Sequence, residues 1–183
     1  MRLLGKLAEL SDNGIPIFIF TGNHDMWMFD YLEKEINATI YREPIEIKLN
    51  YKVFFLGHGD GLGPGDFGYK ILKKVFSNSI CKWLFSRIHP NLGISLAEYW
   101  SRKSRISNGV KDDTNQGQEE FLVQFCKSKL KESEIDYFIF GHRHLPMEVE
   151  LNKNSTYINL GEWVNYKTYA VFDGETVTLK KFD

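Results

Sequence analysis

Apolar residues follow two rhythms along this chain, and the switches between them mark its elements. Leu3, Leu4, Leu7 and Leu10 recur at helical spacing and Asn13-Gly14 supplies a stop, so the pattern predicts an amphipathic helix over residues 2–12. Residues 15–20 (IPIFIF) are apolar on both faces, as a strand inside a parallel sheet would be. Residues 29–36 read as a short helix, 39–40 as a brief extended piece, and 45–49 with 52–56 as a hairpin joined through Asn50-Tyr51. From residue 67 to 105 the rhythm turns helical, over 69–76, 80–88 and 95–103, with a break at His89-Pro90-Asn91. A further helix over 118–130 is expected to turn Phe121, Leu122 and Phe125 inward before a strand at 137–140. Segments 148–151, 156–160, 168–172 and 176–181 then read as an antiparallel meander, with Asp173-Gly174 as a hairpin turn. No repeat or low-complexity tract interrupts the series. The sum predicts an α/β (α+β) fold, a two-layer β-sandwich flanked by helices and carrying a helical insertion over residues 67–111.

At 183 residues, with 43% hydrophobic and 26% charged positions, the chain suits one globular domain of 1–183 with a sizeable core. Cys81 and Cys126 show neither a C-x-x-C spacing nor a disulfide framework, so they read as packed thiols of a reducing cytoplasm. No stretch reaches the roughly 20 apolar residues of a spanning helix, and residues 1–13 lack the features of a signal peptide. The formal charge of -1 conceals an asymmetry. Between Lys70 and Lys111 nine basic residues face one acidic residue, Glu98, on a stretch also rich in Phe, Trp, Leu and Ile. Such a surplus favours an anionic partner, although a solvated basic face would look the same.

Candidate chemistry sits at the ends of three apolar strands. The first runs into Gly22-Asn23-His24-Asp25, the second into Gly57-His58-Gly59-Asp60, and the third into Gly141-His142-Arg143-His144. Four of the five histidines lie in these turns. Strand ends are where open α/β folds keep reactive groups, and imidazole with amide or carboxylate oxygen suits divalent first-row ions such as manganese, iron or zinc. Taken singly each turn has a plainer reading: Asp25 as a helix N-cap, or His58 as an ordinary turn histidine. His142 and His144, two apart on an extended segment, point to one side and make the better ligand pair.

The series G-N-H-D, G-H-G-D, G-H-x-H resembles the downstream half of the calcineurin-like metallophosphoesterase signature, and the resemblance covers most of the chain. Within that family the basic helical insertion, the Ser/Arg/Lys-rich stretch, G-H-R-H and a late N-L-G-E-W look like the UDP-2,3-diacylglucosamine pyrophosphatases of lipid A biosynthesis; Glu162 stands where that group has Asp. The resemblance implies two divalent metal ions, of which manganese is the expected one. It assigns Asn23, His58 and His142 to one ion and His144 to the other. His24 would sit beside the reacting phosphate, oriented by Asp25. Asn23, His24, Asp66, Ser104, Asn108, Lys111 and His142 would contact the UDP-sugar lipid. The amphipathic helices of 67–105 would hold acyl chains and touch the inner face of the cytoplasmic membrane, where a plain helical cap is the alternative. No nucleic-acid motif is present.

The resembled family opens with two further motifs, D-x-H and G-D-x-x-D, and neither occurs in this sequence. Their absence, with the expected open edge of the strand at 15–20, leads to the expectation of an amino-terminally truncated enzyme lacking its first strands, some 60 to 70 residues at about 30 per strand-and-connection unit. Two alternatives to the leading hydrolase reading remain: another metallophosphoesterase, a phosphodiesterase or phosphomonoesterase, and an inactive lipid- and nucleotide-binding fragment.

Overall fold

Strict alternation in two aromatic strands decides where the core lies. Phe54 and Phe55 in β4 (Lys52–Leu56), with Tyr137, Phe138 and Phe140 in β5 (Tyr137–Phe140), send successive side chains to opposite faces and so demand a layer on each side. The computed structural model of the protein, which describes residues 2–63, 67–108 and 117–183, supplies both layers. The elements in chain order are α1 (Arg2–Asp12), β1 (Phe18–Phe20), α2 (Tyr31–Ile36), β2 (Thr39–Tyr41), β3 (Ile45–Leu49), β4, α3 (Phe67–Ser77), α4 (Ser79–Phe85), α5 (Pro90–Asn108), α6 (Phe121–Lys129), β5, β6 (Pro146–Asn152), β7 (Ser155–Leu160), β8 (Thr168–Phe172) and β9 (Val177–Lys181). A short 3-10 turn at Gly117–Glu119 leads into α6.

Five strands form a mixed sheet in the order β3-β4-β5-β7-β6. Its three middle strands are parallel, and an antiparallel hairpin closes each side. On one face Phe55, Phe138, Phe140 and Tyr157 pack against Leu122, Val123 and Cys126 of α6. On the other, Phe54 and Ile158 pack against Val177, Ala170 and Phe172 of the β8–β9 hairpin. A separate parallel pair, β1 with β2, matches Phe18 to Thr39 and Phe20 to Tyr41.

Three expectations need correction. The strand foreseen over 15–20 is only three residues long, and Ile15 and Phe18 are substantially exposed, because among the described residues β2 alone pairs with it. Phe121 is 42% exposed; α6 starts there, with Glu120 buried at its N-cap, while Leu122 is buried and Phe125 packs on the core as expected and Val123 and Cys126 join them. The closing strands are no single meander. β7 lies parallel to β5, and the chain leaves that sheet through a loop with Gly161 and Lys167 at φ 74 and 53 before β8 and β9 form their own pair.

Three helices, α3, α4 and α5, follow the second strand-end turn, and two of them have legible starts. Asn78 accepts hydrogen bonds from the Ile80 and Cys81 amides at the start of α4, and Pro90 opens α5, where its missing N–H does no harm. Trp27, just beyond the first strand-end turn, donates from Nε1 to the Phe76 carbonyl at 2.8 Å and meets the rings of Phe76 and Phe85. The outer face of the insertion leaves Ile71, Ile80, Trp83 and Leu84 largely exposed. No helix among the described residues is long and apolar enough to cross a membrane.

Candidate metal centre

Because β4 and β5 are parallel neighbours, the turns that follow them emerge side by side. The Gly57 amide donates to Ile139 O at 3.3 Å and the Gly141 amide to His58 O at 3.0 Å, which stitches the second turn to the third. The first turn is closed by its own carboxylate: Asp25 Oδ1 accepts from the Gly22 amide at 2.5 Å. Gly22 is a glycine for a spatial reason, since a Cβ there would lie 2.6 Å from Cε1 of His58.

The three turns meet. His58 Nε2–H donates to Asn23 Oδ1 at 3.1 Å, and the rings of His58 and His142 stand 5.3 Å apart, edge to face. Burial holds the His58 imidazole below its ordinary pKa; Asp60 and Asp25 pull it back up, while His144 and His24 add to the lowering. That coupling places His24, Asp25 and His144 within electrostatic reach of His58, all three exposed on the same rim. A lowered pKa favours the neutral imidazole, the form that ligates metal. The segment of His142 and His144 is not extended as expected: both adopt left-handed backbone, at φ 46 and 53, because the chain turns tightly there, and histidine tolerates that region better than most residues.

Two imidazoles and an amide oxygen within this reach suit a borderline divalent ion, so the donors present fit part of a metal centre. They do not make a whole one. Among the described residues no three His, Cys, Asp or Glu side chains come together tightly enough to hold an ion unaided, and Asn23 is what extends the set. Asp60, the acid nearest the second turn, is already committed. Buried, it accepts from Tyr69 Oη at 2.5 Å and faces Lys73 Nζ at 3.0 Å, and these partners outweigh burial to keep its carboxyl below the usual range. It fastens α3 to the turn.

Of the substrate residues expected from the sequence, Asp66 and Lys111 lie outside the described residues. Ser104 and Asn108 fall four apart on α5, hence on one helical face, with their side chains also outside what is described. Several supporting contacts were not foreseen from the sequence. Glu120 receives a hydrogen bond from Arg143 Nη2 at 3.0 Å, Asn159 Nδ2 donates to Gly141 O, and Tyr69 and Lys73 hold Asp60. Only the i,i+4 spacing of Tyr69 and Lys73 hinted that they share a face.

No family model matches the sequence. The chain is 36% identical over 195 residues to a UDP-2,3-diacylglucosamine hydrolase of Porphyromonas gingivalis, an alignment covering 100% of this chain and 74% of the relative. It is 28% identical over 189 residues to a protein of the same name from Pseudomonas fluorescens, with 99% and 73% covered. Likeness along the whole chain, joined to three strand-end turns that converge as that enzyme group's motifs imply, leads to one conclusion: the chain belongs to the UDP-2,3-diacylglucosamine hydrolase family.

Proposed function

We infer that the chain serves lipid A biosynthesis by hydrolysing the diphosphate of UDP-2,3-diacylglucosamine, giving UMP and 2,3-diacylglucosamine 1-phosphate. The observation that carries the reading is the meeting of Asn23, His58 and His142 from three separate turns. The reaction depends on divalent metal, which when bound neutralises phosphoryl charge and lowers the pKa of water. Asn23, His58 and His142 being given to the first ion, His144 would contribute to a second. Manganese is the ion this reading expects.

The remaining roles belong to the chain's own groups. His24, exposed on the rim, is placed to donate a hydrogen bond to a phosphoryl oxygen or a proton to the leaving oxygen. Asp25 shapes the turn that presents it, through the Gly22 amide. Asn23 and His142 face substrate as well as metal in this reading. Asp66, Ser104, Asn108 and Lys111 would bind the nucleotide-sugar, Lys111 through phosphate.

The insertion of 67–111 would carry the acyl chains. Exposed Ile71, Ile80, Trp83 and Leu84, interleaved with lysines, support contact with the cytoplasmic face of the inner membrane rather than with nucleic acid. The β8–β9 hairpin packed on the main sheet supports the expected two-layer arrangement. The test is product analysis with the lipid nucleotide and manganese. Equimolar UMP and 2,3-diacylglucosamine 1-phosphate are expected. Cleavage of small phosphodiesters with the lipid nucleotide untouched would make this a phosphoesterase of other specificity. A folded chain that takes up no metal would make it a binding module.

A further inference from the structure

The residue between the two histidines of the third turn has no part in the chemistry above, yet it is one of the few buried charges among the described residues. Arg143 is 6% exposed and Glu120 is 1% exposed, and Arg143 Nη2 donates to Glu120 Oε1 at 3.0 Å. We propose that this buried Arg143–Glu120 ion pair is a positioning device for the metal-binding histidines; the inference rests on the reading of His58 and His142 as ligands.

Stability alone does not account for the pair. Removing two charges from water offsets most of their attraction, and an apolar pair of similar volume often holds a fold equally well. What the ion pair adds is direction. His142 and His144 have left-handed backbone, and the Arg143 amide turns back to Gly141 O at 2.5 Å. In so tight a turn the side chain of the middle residue sets which way the flanking histidines are presented. Drawing the guanidinium inward leaves His142 and His144 at the rim.

The anchor at the other end is rigid. Glu120 occupies the N-cap of α6, but its carboxylate makes no cap hydrogen bond there and reaches Arg143 instead. The helix it begins is locked into the core by Leu122, Val123 and Cys126. From behind, Asn159 Nδ2 donates to Gly141 O, and the Gly141 amide donates to His58 O. The same short segment therefore fixes His142 against His58 and is itself fixed to α6 and β7. Partners that hydrogen-bond a ligating histidine typically change metal affinity by about 10- to 100-fold when lost; here the pair acts through the backbone of the turn, and an effect of that order is the expectation.

Cobalt(II) titration of the 183-residue chain tests this, because the visible bands of the ion report its coordination as well as its affinity. Four proteins are compared: the parent, His142→Ala, the double variant Glu120→Gln with Arg143→Met, and Arg143→Lys. The parent is expected to bind and His142→Ala to lose binding. The double variant removes both charges and should melt close to the parent while binding cobalt about 10- to 100-fold more weakly, with altered bands. Arg143→Lys keeps the charge without the planar fork and should fall between them. A folded double variant with parental affinity and bands overturns the proposal while leaving the metal reading intact. If the double variant does not fold, Arg143→Lys decides: weakened binding supports the proposal and parental binding overturns it. A folded parent that binds no cobalt overturns both.

Discussion

Asp60 shows at the residue scale how a motif position can serve the scaffold rather than the chemistry. Its carboxylate is buried against Tyr69 Oη and Lys73 Nζ. Asp60→Asn should destabilise the fold by about 1 to 3 kcal/mol, since Lys73 loses its charged partner in a mostly buried setting; denaturant unfolding measures this. The folded carboxyl titrates below the ordinary 3.8, so its contribution is fully present above that value and disappears as pH falls through the depressed one. Stability of Asp60→Asn should accordingly fall less steeply on acidification than that of the parent. Gly22→Ala makes the opposite kind of prediction. The added methyl would displace the His58 ring, which can swing aside, so the melting temperature should change little while divalent-metal affinity drops at least tenfold by isothermal titration. Parental affinity would show that His58 need not stand where it does. His58, His142 and His144 were legible as candidates because each lies in a glycine turn at the end of an apolar strand, and Asn23 joined them through the family resemblance. Glu120 was invisible because a buried partner 23 residues away leaves no local pattern, and Asn159 stood in the late N-L-G-E-W stretch without its bond to Gly141 being legible.

Among the elements, the apolar strands announced themselves. β4, β5 and β7 are apolar runs covered on both faces, and a hairpin of residues 45–56 was readable from its turn. Their parallel alignment is set partly by Asp136, which accepts from the Val53 amide at 2.8 Å and from Lys52 Nζ at 2.9 Å, at the start of β5. What local pattern could not give was the neighbour on each side. An apolar hexapeptide became a three-residue strand because only β2 lies beside it among the described residues, and Phe121 faced outward because the start of α6 fixed the phase of its helix. In the insertion α4 buries none of its residues, so its start depends on the Asn78 cap. Asn78→Ala should weaken α4 by about 1 kcal/mol, seen as faster amide exchange confined to that helix. Uniformly faster exchange through β4 and β5 would contradict the view of α4 as a locally held element.

At the scale of the molecule, contacts that join the site to the basic helices include Asp60 with α3, Lys70 with the Gly63 carbonyl, and Trp27 with Phe76 and Phe85. The metal rim is thus tied to the surface proposed to meet lipid. Replacing Trp83 and Leu84 together by Ser should reduce co-sedimentation with anionic vesicles on the order of tenfold, as expected for losing two half-exposed apolar anchors; undiminished binding would remove the insertion from any membrane role. The most direct test of the central claim is anomalous diffraction from crystals soaked in manganese. The account predicts a peak in coordinating contact with Asn23 Oδ1 and the imidazoles of His58 and His142. A saturated crystal with no peak among those three residues, or with manganese bound elsewhere, would contradict it.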